Sequence, residues 1–177
     1  MPSELENKNY IDEFNDDVPK IAVIIAKHPS IISDELIKGT IGILDSQKIS
    51  YKKIYVSGIL ALPIALKLII NSSQYEGYIL LGSISHEENL TYSKTVYNET
   101  LRSIGNISNQ GYPTGTAIIS AESAIELKEI SLKNNYGAAA ANAVLELISL
   151  SRNLTGITKN IGFKPLSNPN QTAGEAK

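Results

Sequence analysis

Apolar runs of two kinds alternate along the chain, and together they predict a parallel sheet covered by helices. Short runs rich in β-branched residues, typical of strands buried on both faces, lie at 21–26, 53–56, 78–84 and 115–120. Apolar residues at helical spacing predict five helices at 33–46, 60–70, 92–107, 122–132 and 137–150. This alternation favours right-handed crossovers and an α/β fold, a three-layer α/β/α sandwich with a four-stranded parallel sheet.

The two ends of the chain differ in composition from this regular pattern. Residues 1–19 are polar and acidic and predict a flexible N-terminal arm. Residues 155–177 are rich in Asn, Gly, Pro and Thr and predict a flexible C-terminal tail. The folded domain is therefore expected over 20–154. Within it, Ser33 is expected to cap the first helix, and Ser120 is expected to begin the fourth.

Composition and charge exclude several classes of function. A formal net charge of −2 gives no electrostatic attraction for nucleic acid or an anionic membrane. The chain has no cysteine, which excludes disulfides and thiolate catalysis, and its two histidines do not indicate a metal site. No apolar run near residue 1 resembles a secretory signal, and the run at 59–70 is too short to span a bilayer. We therefore expect a cytoplasmic protein.

Ligands of parallel α/β sheets bind at the carboxyl ends of the strands. In this chain the residues that follow the predicted strands carry most of the candidate binding groups. They are Ala26-Lys27-His28, Val56-Ser57-Gly58, Ile84-Ser85-His86 and Ile119-Ser120.

Six segments, spread over about residues 20–150, resemble the lumazine synthase family of riboflavin biosynthesis in order and spacing. Framework positions of that family match at Gly58, Pro63, Gly82, Asn98-Glu99 and Gly137. The segments are KIAVIIAKHPSIISDELIKG, YVSGILALPIALKL, YEGYILLGSIS, VYNETL, GTAIISAESAIE and NNYGAAAANAVLELISL.

The resemblance implies a flavodoxin-like fold and a homopentamer, which in some members assembles into larger shells. It implies sites that lie between neighbouring subunits and need no metal or cofactor. The reaction it implies joins 5-amino-6-ribitylaminouracil to 3,4-dihydroxy-2-butanone 4-phosphate, so the partners are two small molecules and further copies of the same chain. It does not imply nucleic acid or a membrane as a partner.

The resemblance also implies which residues contact the ribitylaminouracil. His28 takes the position of an aromatic residue that stacks on the pyrimidine, and an imidazole face stacks more weakly than phenyl or indole. Backbone groups of Ile59, Leu60 and Ala61 fall on the ribityl loop, where Ala61 replaces a family glutamate and removes an acceptor. Thr116 falls near a position whose backbone touches the pyrimidine.

The third strand and its loop carry the next group of implied substrate contacts. Glu87 and Glu88 fall where the family approaches phosphate with bare backbone, and two carboxylates repel a phosphate dianion. The family arginine that binds phosphate is matched by Ile130, and Lys133, on the same helix face, is the available cationic substitute. The other implied contacts in this loop and strand are Ser83, Ile84, Ser85 and Asn89.

Two residues are candidates for proton transfer. With one inserted residue in the loop, Tyr92 falls on the family histidine, but a phenol is mostly protonated near neutral pH and is a poor base. His86, six residues earlier, replaces the missing imidazole if the loop folds differently. Both residues therefore remain catalytic candidates at this point.

Two hypotheses of function follow from the resemblance. The first is a 6,7-dimethyl-8-ribityllumazine synthase, a transferase in which the protein mainly positions two reactive substrates and moves protons. The second is a catalytically impaired subunit with a structural or a flavin- or lumazine-binding role. An unrelated flavodoxin-like binding module is a weaker third possibility, because the framework matches argue against it.

Overall fold

The strands and helices alternate along the chain as the sequence predicts. The computed structural model describes residues 9–14, 17–28 and 30–155, with positions 30 and 31 described by their backbone alone. The elements in chain order are β1 Lys20–Ala26, α1 Ser30–Ser46, β2 Ser50–Val56, a 3₁₀ turn Ile59–Ala61, α2 Leu62–Asn71, β3 Gly77–Ser85, α3 Leu90–Ser108, β4 Thr114–Ala121, α4 Ala124–Lys133 and α5 Tyr136–Thr155.

The four strands form one parallel sheet in the order β2-β1-β3-β4. Odd-numbered residues of β1, such as Ile21 and Ile25, pack under α1, α4 and α5. Even-numbered residues, such as Ala22 and Ile24, pack under α2 and α3. The predicted three-layer α/β/α sandwich is therefore confirmed. Across the described ranges, no helix is both long and apolar enough to cross a membrane.

The two helix starts predicted at Ser33 and Ser120 are wrong, because each serine lies inside an element rather than at the start of a helix. Ser33 lies inside α1, and its Oγ donates to the carbonyl of Ala26 at 2.8 Å, which ties the helix to the end of β1. Ser120 lies inside β4, whose pairing with β3 continues to Ala121. The residue that caps α4 is Ser123, whose Oγ accepts the Glu126 backbone N–H at 3.1 Å.

Small residues let α5 approach both the sheet and α1. A Cβ placed on Gly115 of β4 would overlap the carbonyl of Ala140, and one on Gly137 would overlap the carbonyl of Leu36. Ala141, in the same alanine run, is fully buried. The interpretation of this run as close helix packing is therefore confirmed.

The N-terminal segment, predicted as a flexible arm, packs on the domain wherever the structure describes it. Tyr10 and Phe14 are 4% and 2% exposed and belong to the core beneath α1 and α5. Their rings stack at 5.6 Å between centroids, and the Tyr10 backbone N–H donates to Gln47. These two aromatic residues anchor a segment whose other residues are mostly polar. The predicted C-terminal tail lies outside the described residues beyond Thr155.

Arg152 of α5 holds this segment against the loop that precedes β3. Its guanidinium donates two hydrogen bonds to Glu76, at 2.7 and 2.9 Å, and one to the backbone carbonyl of Asp17 at 2.8 Å. It also lies 5.0 Å from the centre of the Phe14 ring. Since the Arg152 side chain is only 16% exposed, solvent does not readily replace these partners.

We expect Arg152→Met to lower the free energy of unfolding by about 2 kcal/mol, because it removes charge-assisted hydrogen bonds from partly buried partners. Urea denaturation monitored by circular dichroism measures this loss. Arg102→Met is the matched control. Arg102 also pairs with a carboxylate, Glu99, and lowers the pKa of that group through its hydrogen bonds, but on an exposed face of α3. Equal losses in both variants would contradict a special role for Arg152.

Candidate functional site at the carboxyl edge of the sheet

The carboxyl edge of the sheet is stepped rather than level. The ladder between β1 and β3 ends at the pair Ile25–Leu81, whereas the ladder between β3 and β4 continues to Ser85–Ala121. β3 therefore extends four residues, about 13 Å, beyond its last pair with β1. On the β1 side, this part of β3 has no strand partner within the described residues. The ladder with β1 therefore does not use the backbone groups of these four residues on that side.

Three of the predicted substrate contacts lie on this projecting part of β3. Ser83 is 3% exposed, and its hydroxyl has no hydrogen-bond partner among the described residues. Ile84 and Ser85 are partly exposed at the end of the strand. The structure thus brings all three residues to the stepped edge.

The 3₁₀ turn Ile59–Ala61 packs directly against this step. Gly58 enters the turn with an extended backbone, and its carbonyl accepts the Ala61 N–H at 3.1 Å. Ile59 is buried, and a Cβ added to Gly82 of β3 would lie only 2.7 Å from its side chain. Gly82 therefore allows the turn to approach the strand closely. Leu60 is exposed and Ala61 is partly exposed at the mouth of this contact.

His28 follows β1 at the same edge and is exposed. It lines a cleft of about 490 Å³ between the ends of β1 and β2 and the start of α1. The cleft also contains Lys27, Asp34 and Tyr55, and the Lys27 ammonium lies 5.9 Å from the centre of the Tyr55 ring. An aromatic face, a cation and a carboxylate therefore line the same cleft as the position predicted to stack on a ring.

The loop after β3 is held by hydrogen bonds to both neighbouring helices. The His86 backbone N–H donates to the Ala121 carbonyl at 3.0 Å. The Glu87 carboxylate accepts the Ala124 N–H at 2.9 Å, at the start of α4, where the helix dipole favours a negative charge. Asn89 caps α3 by accepting the Tyr92 N–H at 2.9 Å. Of the two carboxylates expected to repel a phosphate, only Glu88 is without such a partner in the described structure.

The two candidates for proton transfer have different surroundings. The His86 ring is 8% exposed, and its Nδ1 lies 2.7 Å from the Oγ of Ser93 in α3. The Tyr92 side chain is 63% exposed on the surface of the same helix. The imidazole is therefore held in one place by the protein, whereas the phenol projects into solvent.

The remaining predicted contacts, Thr116 and Lys133, lie away from this edge. Thr116 pairs with Leu80 in the ladder, about 17 Å before the end of β4. Lys133 ends α4, which begins near the edge and runs back over ten residues, about 15 Å. Its side chain is 74% exposed and lies 4.0 Å from Glu129. A single subunit does not bring these residues to the others.

Sequence reasoning missed Ser93, Tyr55 and the bond made by Glu87. Ser93 had a detectable signal, because it begins the buried stripe of α3 that continues through Val96, Thr100 and Ile104. A polar residue on a buried stripe normally has a hydrogen-bond partner. Glu87 bonds α4 from the loop after β3, and Tyr55 meets Lys27 where β1 and β2 end. Residue spacing alone does not predict either contact.

The close approach of the turn to β3 is testable by substitution. We expect Gly82→Ala to lower the free energy of unfolding by about 1–3 kcal/mol, because the added methyl overlaps Ile59 and forces the turn away. Gly58→Ala is the control, since it has an extended backbone and no atom within 4 Å of an added Cβ. Thermal melts of the two variants measure the difference. Indistinguishable melting temperatures would show that the turn does not depend on Gly82.

Comparison with known proteins agrees with this architecture. The family model described as 6,7-dimethyl-8-ribityllumazine synthase matches residues 19–152. A protein of that name from Jannaschia sp. (strain CCS1) is 30% identical over 148 residues, covering 82% of this chain and 83% of the relative. Another, from Thermococcus onnurineus (strain NA1), is 26% identical over 156 residues, covering 85% of this chain and 100% of the relative. Because the family match includes every strand and the whole carboxyl edge, the chain belongs to the 6,7-dimethyl-8-ribityllumazine synthase family.

Proposed function

We propose that this protein is a working lumazine synthase of cytoplasmic riboflavin biosynthesis. It joins 5-amino-6-ribitylaminouracil to 3,4-dihydroxy-2-butanone 4-phosphate and forms 6,7-dimethyl-8-ribityllumazine. The observation that carries the proposal is the stepped carboxyl edge, where the turn Ile59–Ala61 packs against the end of β3. His28 follows the neighbouring strand β1 at the same edge. Family membership supports this reaction, and the edge offers groups suited to its two needs, positioning of the substrates and proton transfer.

The pyrimidine fits the backbone of β3 beyond Leu81. A pyrimidine with two carbonyls and ring N–H groups needs donors and acceptors in one plane, and an unpaired strand edge presents both. The exposed ring of His28, which follows the neighbouring strand, supplies a face for stacking. The turn Ile59–Ala61 lies beside the same step and takes the ribityl chain through backbone groups. This arrangement does not require the carboxylate that Ala61 lacks.

Proton transfer is assigned to His86 rather than to Tyr92. Imine formation, loss of phosphate and ring closure each move protons, and an imidazole serves as both acceptor and donor near neutral pH. His86 is held at the end of β3 by Ser93, whereas Tyr92 projects from the surface. A group held in one orientation contributes more to such a step than a mobile one.

The butanone phosphate site requires a second copy of the chain. Thr116 and Lys133 are remote from the edge in their own subunit, so a neighbour's pair completes the site. Three exposed apolar side chains, Leu60 in the 3₁₀ turn and Ile64 and Leu68 on α2, recur every four residues and give a face for self-association. We therefore propose a homopentamer, with Lys133 of the adjacent subunit neutralising the phosphate.

A second candidate function is an impaired subunit that binds a lumazine or flavin or has a structural role. The observation that favours it is Ile130, which takes the position of the family arginine and packs against the core beneath α4. A partly buried aliphatic side chain offers no charge to a phosphate. In this alternative the stepped edge still binds a ring, but the phosphate substrate binds poorly.

An assay with both substrates, following lumazine absorbance, distinguishes the two functions. We expect product above the uncatalysed rate, and we expect Lys133→Met to raise KM for the butanone phosphate because the variant lacks the cation. Lys128→Met, on an exposed position of the same helix, is the matched control and should leave KM unchanged.

Absence of product above background would reject the working enzyme. Calorimetry with the ribitylaminouracil and with riboflavin then tests the second candidate, which requires measurable binding of one of them. Analytical ultracentrifugation of the same samples reports the assembly separately, and a monomer would contradict the proposed shared site.

A further inference from the structure

A buried pair of side chains, His86 and Ser93, joins the end of β3 to the first turn of α3. The two residues are 8% and 4% exposed, and their Nδ1 and Oγ atoms lie 2.7 Å apart. The Ser93 Oγ also lies 2.8 Å from the Asn89 carbonyl and 3.3 Å from the Leu90 carbonyl. A single hydroxyl thus faces one imidazole nitrogen and two backbone acceptors.

The hydroxyl has one hydrogen, and its direction decides the state of the histidine. If that hydrogen points to Asn89, then Nδ1–H of His86 donates to Oγ, and the group makes two hydrogen bonds. If it points to Nδ1 instead, only one of these two bonds forms. Burial favours the arrangement with more bonds.

Other hydroxyls of α3 show the same backbone preference. Thr95, Thr100 and Ser108 each donate to the carbonyl four residues earlier, at 2.7, 2.7 and 2.9 Å. Such bonds are the usual choice of serine and threonine inside helices. Ser93 to Asn89 has the same spacing and a similar length, so its hydrogen is directed to the backbone.

The second ring nitrogen of His86 has a different environment. Within the described part of the chain, no group bonds Nε2, and Nε2 is not among the fully buried unpaired side-chain atoms. Nε2 therefore keeps some contact with solvent, in a residue that directly follows β3 at the carboxyl edge. With hydrogen on Nδ1, Nε2 carries the lone pair of the neutral ring.

We infer that Ser93 is a positioning residue that holds His86 in the Nδ1–H tautomer, with Nε2 directed to the edge as proton acceptor. This inference rests on the proposed function for its catalytic consequence, though not for the tautomer itself. In each proton transfer, Nε2 first takes a proton from the substrate, which keeps the bonding electron pair. The imidazolium that results still donates through Nδ1–H to Ser93 Oγ. Its Nε2–H then returns the proton to the reaction intermediate, as phosphate leaves or as the ring closes.

Nitrogen NMR of the full chain, labelled in histidine alone, reads the tautomer directly. The sequence has two histidines, so exposed His28 serves as an internal reference. In the spectrum of the neutral ring, recorded at alkaline pH, we expect His86 to show a protonated Nδ1 and a bare Nε2. Ser93→Ala should give a mixture of tautomers at His86 alone, and Ser93→Thr should restore the original pattern.

Kinetics of the same variants test the consequence for catalysis. We expect Ser93→Ala to lower kcat by about 10- to 100-fold and to leave KM unchanged. This loss is part of the factor of about 10²–10⁴ that a positioned proton-transfer group supplies. Ser93→Thr should recover most of it. Thr95→Ala is the matched control, because it removes an exposed, backbone-bonded hydroxyl from the same helix. That variant should match the parent in kcat and in the His86 spectrum.

Three outcomes overturn the inference. A bare Nδ1 in the parent protein rejects the assigned tautomer, and this reading needs no variant and no activity. An unchanged His86 spectrum in a folded Ser93→Ala protein rejects control by Ser93. Equal kcat values for Ser93→Ala and Thr95→Ala reject the positioning role. If no form of the protein turns over, the proposed function fails, while the spectra still decide the tautomer.

Discussion

The offset between two hydrogen-bonded ladders is the constraint on which the site depends. β3 pairs with β1 only to Leu81 but with β4 to Ser85, so one side of β3 projects past the sheet with an unpaired backbone. Buried backbone groups need partners, and groups left at an edge are open to a ligand. Two neighbouring segments contact this projection. The 3₁₀ turn packs against Gly82, and the loop that begins at His86 bonds to the start of α4.

The layers of the fold followed from periodicity, but the ends of elements did not. Alternating strand and helix periods are sufficient to predict a parallel sheet covered on both faces. Ser33 and Ser120 were misplaced because residue type suggests a cap without reporting where the chain runs. The docking of residues 9–14 escaped prediction because two aromatic anchors, Tyr10 and Phe14, stand in a polar segment. Phe14 also lies beside Arg152, which is far away in sequence and bonds the carbonyl of Asp17.

The sequence located the carboxyl edge of the sheet more successfully than it predicted how individual side chains pack there. Parallel topology alone places the ends of β1 and β3 at one edge. The bond from Glu87 to α4 and the pair His86–Ser93 depend on a loop between non-adjacent elements, and spacing carries no such information. Thr116 and Lys133 were assigned by resemblance, and one subunit keeps them away from the edge. Their assignment to the site therefore depends on the proposed neighbouring subunit.

Backbone groups and side chains differ in how they tolerate sequence change, and this bears on turnover. The unpaired edge of β3 and the turn at Ile59–Ala61 present the same donors and acceptors whatever side chains they carry. Under the proposed function, binding through these backbone groups does not need a carboxylate at position 61. Proton transfer has no backbone equivalent, because it needs a titrating group in a defined orientation. Under the proposed function, binding is thus the robust property of this fold, and catalysis depends on His86 and the hydroxyl that orients it.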